Sequence, residues 1–222
     1  MPHFNSLILS VYIGLITLLA VNVLANQDPI IVGIARFSMM ELDGWENKSF
    51  QGETNYSIQN DEQTPYLQAV SKHSASALYK KIKVDIDNTP YLNWSWRVDH
   101  ALPQLNEKAK SGDDYAARIY VVFKTGFTPL SAKALNYIWS SNAITNTHWP
   151  NAFTEKAIMI PLRSNQDETG RWQTEKVNIK EDLMKYFGKI PQYIDGVALM
   201  TDTDNSKGNA SASYGDIYFS AD

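Results

Sequence analysis

The sequence predicts an all-β protein, an antiparallel two-sheet jelly-roll sandwich with one short helix. Three observations carry that prediction. Apolar residues alternate with period two in many short runs. Turn-forming clusters separate those runs at short, fairly regular spacing. A helical repeat occurs once, so there is no strand–helix–strand alternation of the kind that builds a parallel sheet.

Taken in order, residues 7–24 read LILSVYIGLITLLAVNVL and end in Val23-Leu24-Ala25 before polar Asn26-Gln27-Asp28. An apolar stretch closed by a small-x-small site is the pattern of a secretory signal, so residues 1–25 are expected to be a cleaved signal peptide and 26–222 one β-sandwich domain, periplasmic or secreted. Residues 1–6 contain no Lys or Arg, so a retained anchor is the alternative. Strands are expected at 30–37, 66–71, 77–84, 91–98, 115–123, 134–140, 156–162, 172–177, 196–201 and 214–220. The run 91–98 alternates cleanly, with Leu92, Trp94, Trp96 and Val98 on one face and Tyr91, Asn93, Ser95 and Arg97 on the other. The run 115–123 is apolar on nearly both faces, as suits a central strand. Turn residues at 87–90, 111–114, 165–170 and 202–209 separate the runs. The helix is expected between Asn178, a capping residue with Glu181 three positions on, and Gly188, followed by Pro191. Ile179, Leu183 and Phe187 form its one apolar stripe, which suits a sheet edge or one end of the sandwich.

Composition excludes several chemistries. The chain has no Cys, which removes disulfides, Cys-zinc sites, iron–sulfur clusters and thiol nucleophiles. A net charge of -4 argues against a phosphate-tracking nucleic-acid binder. There is no nucleophile elbow, dinucleotide or phosphate-loop fingerprint, or His-Glu-x-x-His. His73, His100 and His148 stand alone and read as surface or turn residues rather than a zinc triad.

Several motifs taken together have a family character. They are Tyr91-Leu92-Asn93-Trp94-Ser95-Trp96-Arg97, the run from Gly112 to Phe123, Asn136-Tyr137-Ile138-Trp139, Thr201-Asp202-Thr203-Asp204-Asn205 and Tyr214-Gly215-Asp216-Ile217. In this order they resemble a family of exported bacterial proteins of unknown function, the DUF family numbered 3047, over about residues 50–219. The resemblance implies a galactose-binding-like β-sandwich, an architecture that includes many carbohydrate-binding modules. It carries no catalytic residue.

The remaining candidates come from the residues themselves. Asn93 and Arg97 share the polar face of one strand, and a neighbouring strand is expected to set Arg118 and Tyr120 beside them. Such a platform suits sugars or uronates, because the guanidinium fork binds oxygens while rings cover pyranose faces. The opposing reading is a structural ion pair of either arginine with Asp113, Asp202 or Asp216. Trp149 and Trp45 fall in loop-like stretches and suit sugar stacking or capping of the sandwich, whereas Trp94 and Trp96 belong to the core. Asp202 and Asp204 lie on one side of an extended chain, where they could share a structural calcium ion or simply make a turn. An EF-hand is rejected, since Gly208 comes one place late and Ser213 stands where the twelfth-position Glu belongs. Asp113 and Asp114, adjacent in the chain, point apart and read as turn or salt-bridge residues.

The function expected is non-catalytic binding of a glycan or another cell-envelope ligand. One alternative is a polysaccharide hydrolase or lyase using carboxylates and arginine. The other is an envelope structural or protein-interaction module.

Overall fold

The computed structural model describes residues 30–60, 64–126, 128–143 and 147–222. The expected signal peptide lies outside them. Among the described residues no helix is long and apolar enough to cross a membrane.

The strands are β1 (Ile31–Ala35), β2 (Trp45–Gln51), β3 (Asn55–Gln59), β4 (Tyr66–Lys72), β5 (Ala75–Asp85), β6 (Tyr91–Val98), β7 (Arg118–Lys124), β8 (Ala132–Trp139), β9 (Trp149–Asn151), β10 (Thr154–Arg163), β11 (Gln173–Asn178), β12 (Tyr193–Asp202) and β13 (Asn209–Ser220). They form two sheets. The first runs β11-β6-β13-β4-β3, with β1 paired to the far end of β13. The second runs β2-β5-β12-β7-β8-β10-β9. This is the expected sandwich of packed β layers with one short helix.

The core lies between the sheets and follows from the period-two pattern. Leu92, Trp94, Trp96 and Val98 of β6 are buried and face residues of the second sheet. Trp94 meets Tyr137 at 5.6 Å and Trp96 meets Trp139 at 5.9 Å, ring to ring. Burying each indole contributes about 3 kcal/mol. The alternate residues of β7, namely Ile119, Val121 and Phe123, join the same core. Arg118, Tyr120 and Val122 therefore point to the other side of the second sheet.

The helix α1 (Ile179–Phe187) stands where its sequence signals place it. The Asn178 Oδ1 accepts from the N–H groups of Lys180 and Glu181, at 3.1 and 3.3 Å, and Asn178 Nδ2 donates to Glu181 at 2.8 Å. Gly188 closes the helix at φ 67°, a left-handed conformation that suits glycine. Ile179 and Leu183 enter the core, Phe187 packs on Phe123, and Tyr137 donates to Asp182 at 2.6 Å.

Several expectations need correction. The run 115–123 becomes a strand only from Arg118, because Tyr115 turns instead to cover the outer side of the second sheet. Strands β2, β3 and β9 were not expected. β2 and β3 are largely polar and carry weak hydrophobic alternation, and β9 is only three residues long. The pairing is antiparallel throughout except that β10 runs parallel to β8. A sequence pattern shows which residues alternate but says little about the direction of a neighbouring strand.

Candidate functional site

The expected platform separates into two sites on opposite sides of the sandwich. Arg97 belongs to β6 in the first sheet and Arg118 to β7 in the second, and both point away from the shared core. The two arginines therefore cannot act on one ligand as neighbours.

Arg118 is sealed. Its side chain is 3% exposed, and its guanidinium contacts the Asp202 carboxylate and lies 3.7 Å from Asp113. The segment leading into β7 folds back over it, so that the Tyr115 ring lies 4.9 Å from the guanidinium, while Tyr120 lies 5.6 Å away. Burial works against the charge of Arg118, but Asp202, Tyr120 and Asp113 outweigh it and hold the group above its ordinary value. Burial also pushes the Asp202 and Asp113 carboxyls up, with Arg118 pulling both back. Each acid has further donors. The Tyr115 N–H reaches Asp202 at 3.3 Å, and Asn151 Nδ2 reaches both oxygens of Asp113 at 2.9 Å. This is the internal ion-pair arrangement. It ties β7, β9, β12 and the 107–117 segment together.

Asp202 and Asp204 lie near each other, and the fold adds Asp114, with one oxygen of each within 4.8 Å of the others. Carboxylate oxygens suit a hard cation. Their existing partners bear on that fit. Both oxygens of Asp202 are engaged by Arg118 and Tyr115. Asp114 accepts from Asn205 N and Nδ2, at 3.1 Å each, and from Ser206 N at 2.5 Å. Asp114 Oδ1 accepts two of these bonds and is filled, whereas Asp114 Oδ2 and both Asp202 oxygens accept one each and retain a lone pair for a cation. Asp113 and Asp114 do diverge to different partners. Sequence spacing hides Asp114 as a member because its closeness to Asp204 arises only when the two segments meet.

The other expected contacts differ in exposure. Tyr120 is half-buried, and burial pushes its hydroxyl up to about 12. Trp149 lies in β9 rather than in a loop and is 8% exposed, packed with Tyr115, Ile138 and Met159. Trp45 opens β2, partly buried against Phe37. Asn93 is buried and donates to Ser220 Oγ at 2.9 Å, a core-like role that its polar-face position did not announce.

Arg97 is partly buried, its side chain 20% exposed, and Tyr66 beside it is buried, so Trp172 is the exposed member of this group. The Arg97 guanidinium lies 5.2 Å from the ring of Tyr66 in β4 and 5.2 Å from the ring of Trp172, the residue just before β11. The two rings meet edge to face at 5.5 Å. Nη2 donates to Ser213 Oγ at 3.2 Å and Tyr66 Oη at 3.4 Å, and Nε faces Asp99 at 3.6 Å. Trp172 is 40% exposed. Sequence reasoning missed Tyr66 and Trp172 as members, although both start strand runs whose outward face includes them.

A family model describing a protein of unknown function, DUF3047, matches residues 43–218. The chain belongs to that family. No curated protein matches it. Among solved structures, the family 30 carbohydrate-binding module of a cellulosomal cellulase of Clostridium thermocellum is similar at TM-score 0.52 and 13% identity, over 86% of this chain and 96% of that one. A family 11 carbohydrate-binding module from the same organism reaches TM-score 0.48 and 9% identity over 86% and 95%. At such identities the likeness to the family 30 module shows a shared sandwich fold.

Proposed function

We propose that this protein is an exported, non-catalytic glycan-binding sandwich whose ligand lies on the outer side of the first sheet, over Trp172, Tyr66 and Arg97. The observation that carries this reading is the exposed Trp172 ring held beside the Arg97 guanidinium. An indole with a free face stacks on the apolar side of a pyranose, and a neighbouring guanidinium binds its hydroxyl or carboxylate oxygens. The fold shared with the family 30 carbohydrate-binding module adds support. Two of the carboxylates that lie beside an arginine, Asp113 and Asp202, are sealed against Arg118, which favours binding over turnover there.

The test is an array of bacterial and plant polysaccharides followed by titration of the best ligand against Trp172→Ala and Arg97→Ala. Trp172→Ala is expected to weaken binding on the order of tenfold or more with the melting temperature unchanged. Absence of binding to every glycan, or full affinity in Trp172→Ala, overturns the proposal. Export is tested by sequencing the mature N-terminus, expected to begin at Asn26.

A further inference from the structure

The outer side of the second sheet carries a row of residues in register across all seven strands. The partners run Glu46, Tyr79, Ala198, Tyr120, Asn136, Met159 and Trp149. Residues paired in register project to the same side, so this row is one continuous line perpendicular to the strands. At the β8–β10–β9 end Asn136, Met159 and Trp149 are buried beneath Tyr115, so the part of the row open to a ligand lies over β2, β5, β12 and β7.

The middle of the row is shaped by size. Tyr79 and Tyr120 are half-buried, and Ala198 lies between them on β12. The floor around them is small, with Ala77, Ala134, Ala157 and Gly196 on the same side. Gly196 has a specific role here. A Cβ at that position would overlap Oη, Cζ and Cε2 of Tyr79, so the glycine lets the Tyr79 side chain lie against bare backbone. One strand separates the two tyrosines, which places them about 10 Å apart, two strand spacings. Two sugars of an extended β-linked chain repeat over that length, and alternate sugars of such a chain present the same apolar face.

Charge narrows the ligand further. Tyr79, Ala198, Tyr120, Asn136 and Val122 are uncharged. The nearest guanidinium, Arg118, is neutralised by Asp202, and at the β2 edge Glu46 is paired with Lys81 at 3.2 Å. Among the described residues no member of the row is itself a cation that would select a uronate; the nearby lysines lie at its margins, Lys108 over the Trp149 ring and Lys48 opposite Ala77.

We infer that this face is a second carbohydrate surface, in which Tyr79 and Tyr120 stack on alternate sugars of a neutral, extended β-linked polysaccharide crossing the strands. It is independent of the Arg97 face, because the two surfaces lie on opposite sides of the sandwich and share no residue. A protein with both would be able to hold two chains at once, with the avidity that such linkage confers.

The experiment titrates the full mature protein with hydroxyethylcellulose, glucomannan and xylan by affinity electrophoresis and calorimetry. Tyr79→Ala and Tyr120→Ala are each expected to weaken binding to at least one of these polymers on the order of tenfold. Tyr79→Phe and Tyr120→Phe keep the ring and are expected to keep the affinity, which a role in folding alone would not predict if all four variants melt alike. Trp172→Ala is expected to leave this binding in place. Unchanged affinity in the two alanine variants overturns the inference, as does failure of the wild-type protein to bind any of the three polymers. If Trp172→Ala alone abolishes binding, the first-sheet proposal stands and this one falls.

Discussion

Arg118→Met measures how much of the second sheet depends on one internal charge. The substitution keeps an unbranched side chain of similar length and removes the positive charge between Asp202 and Asp113. The three side chains are 3%, 1% and 6% exposed, so solvent cannot take over the role of the guanidinium. Breaking a buried pair by removing one partner costs about 3–5 kcal/mol. For a chain of this size that corresponds to a fall in melting temperature of about 6–20 °C, taking about 2–4 °C per kcal/mol. Urea unfolding reads the loss as a lower midpoint with an unchanged slope. Adding Asp202→Asn to the methionine variant removes the stranded charge, so the double variant is expected to be more stable than Arg118→Met alone. Glycan affinity at Trp172 should not change, since the two arginines lie on opposite sides. A loss below about 1 kcal/mol in the single variant, or a double variant no better than the single, would refute the assignment of Arg118 as a buried counter-ion.

Three further outcomes are expected. Burial raises the carboxyls of Asp182 and Asp204, which lie outside the Arg118 ion pair, above their ordinary value of 3.8, so at these groups the folded state binds protons more readily than the unfolded one. The stability these groups contribute is complete below that value and is lost as pH rises through their folded values. These groups should therefore add to the melting temperature as pH falls toward that ordinary value, and Asp182→Asn or Asp204→Asn should flatten the dependence; an unaltered pH profile in both variants would contradict it. Calcium held by Asp114, Asp202 and Asp204 would raise the melting temperature and chelator would lower it, whereas indifference to both leaves Arg118 as the counter-charge of that cluster. Asn178→Ala removes the α1 cap and should cost about 1 kcal/mol in urea unfolding, with no effect on glycan binding.

Much of the fold was legible because its signals are local. The alternation at 91–98 identified a strand with a core side and an outer side, and Trp94 and Trp96 lie where that alternation puts them. The helix was legible because Asn178, Glu181 and Gly188 each satisfy backbone groups within a turn of themselves. The strands β2, β3 and β9 were not, since β2 and β3 are largely polar with weak alternation and β9 is only three residues long. The site was less legible than the fold. Arg97 and Arg118 look alike in sequence, each on a strand among aromatics, yet one is partly exposed and the other sealed by the Tyr115 segment.

By itself the sequence determined the layered β architecture, the single capped helix, the composition of the core and the absence of cysteine chemistry. These follow from side-chain alternation and turn chemistry, which act over a few residues. Only the tertiary structure decided which strands adjoin, and so which residues share a surface. It placed Tyr66 and Trp172 around Arg97, joined Asp114 to Asp202 and Asp204, and brought Tyr79 into line with Tyr120. The physical reason is that strand pairing joins segments far apart in the chain through backbone hydrogen bonds, which carry no side-chain signature of their own.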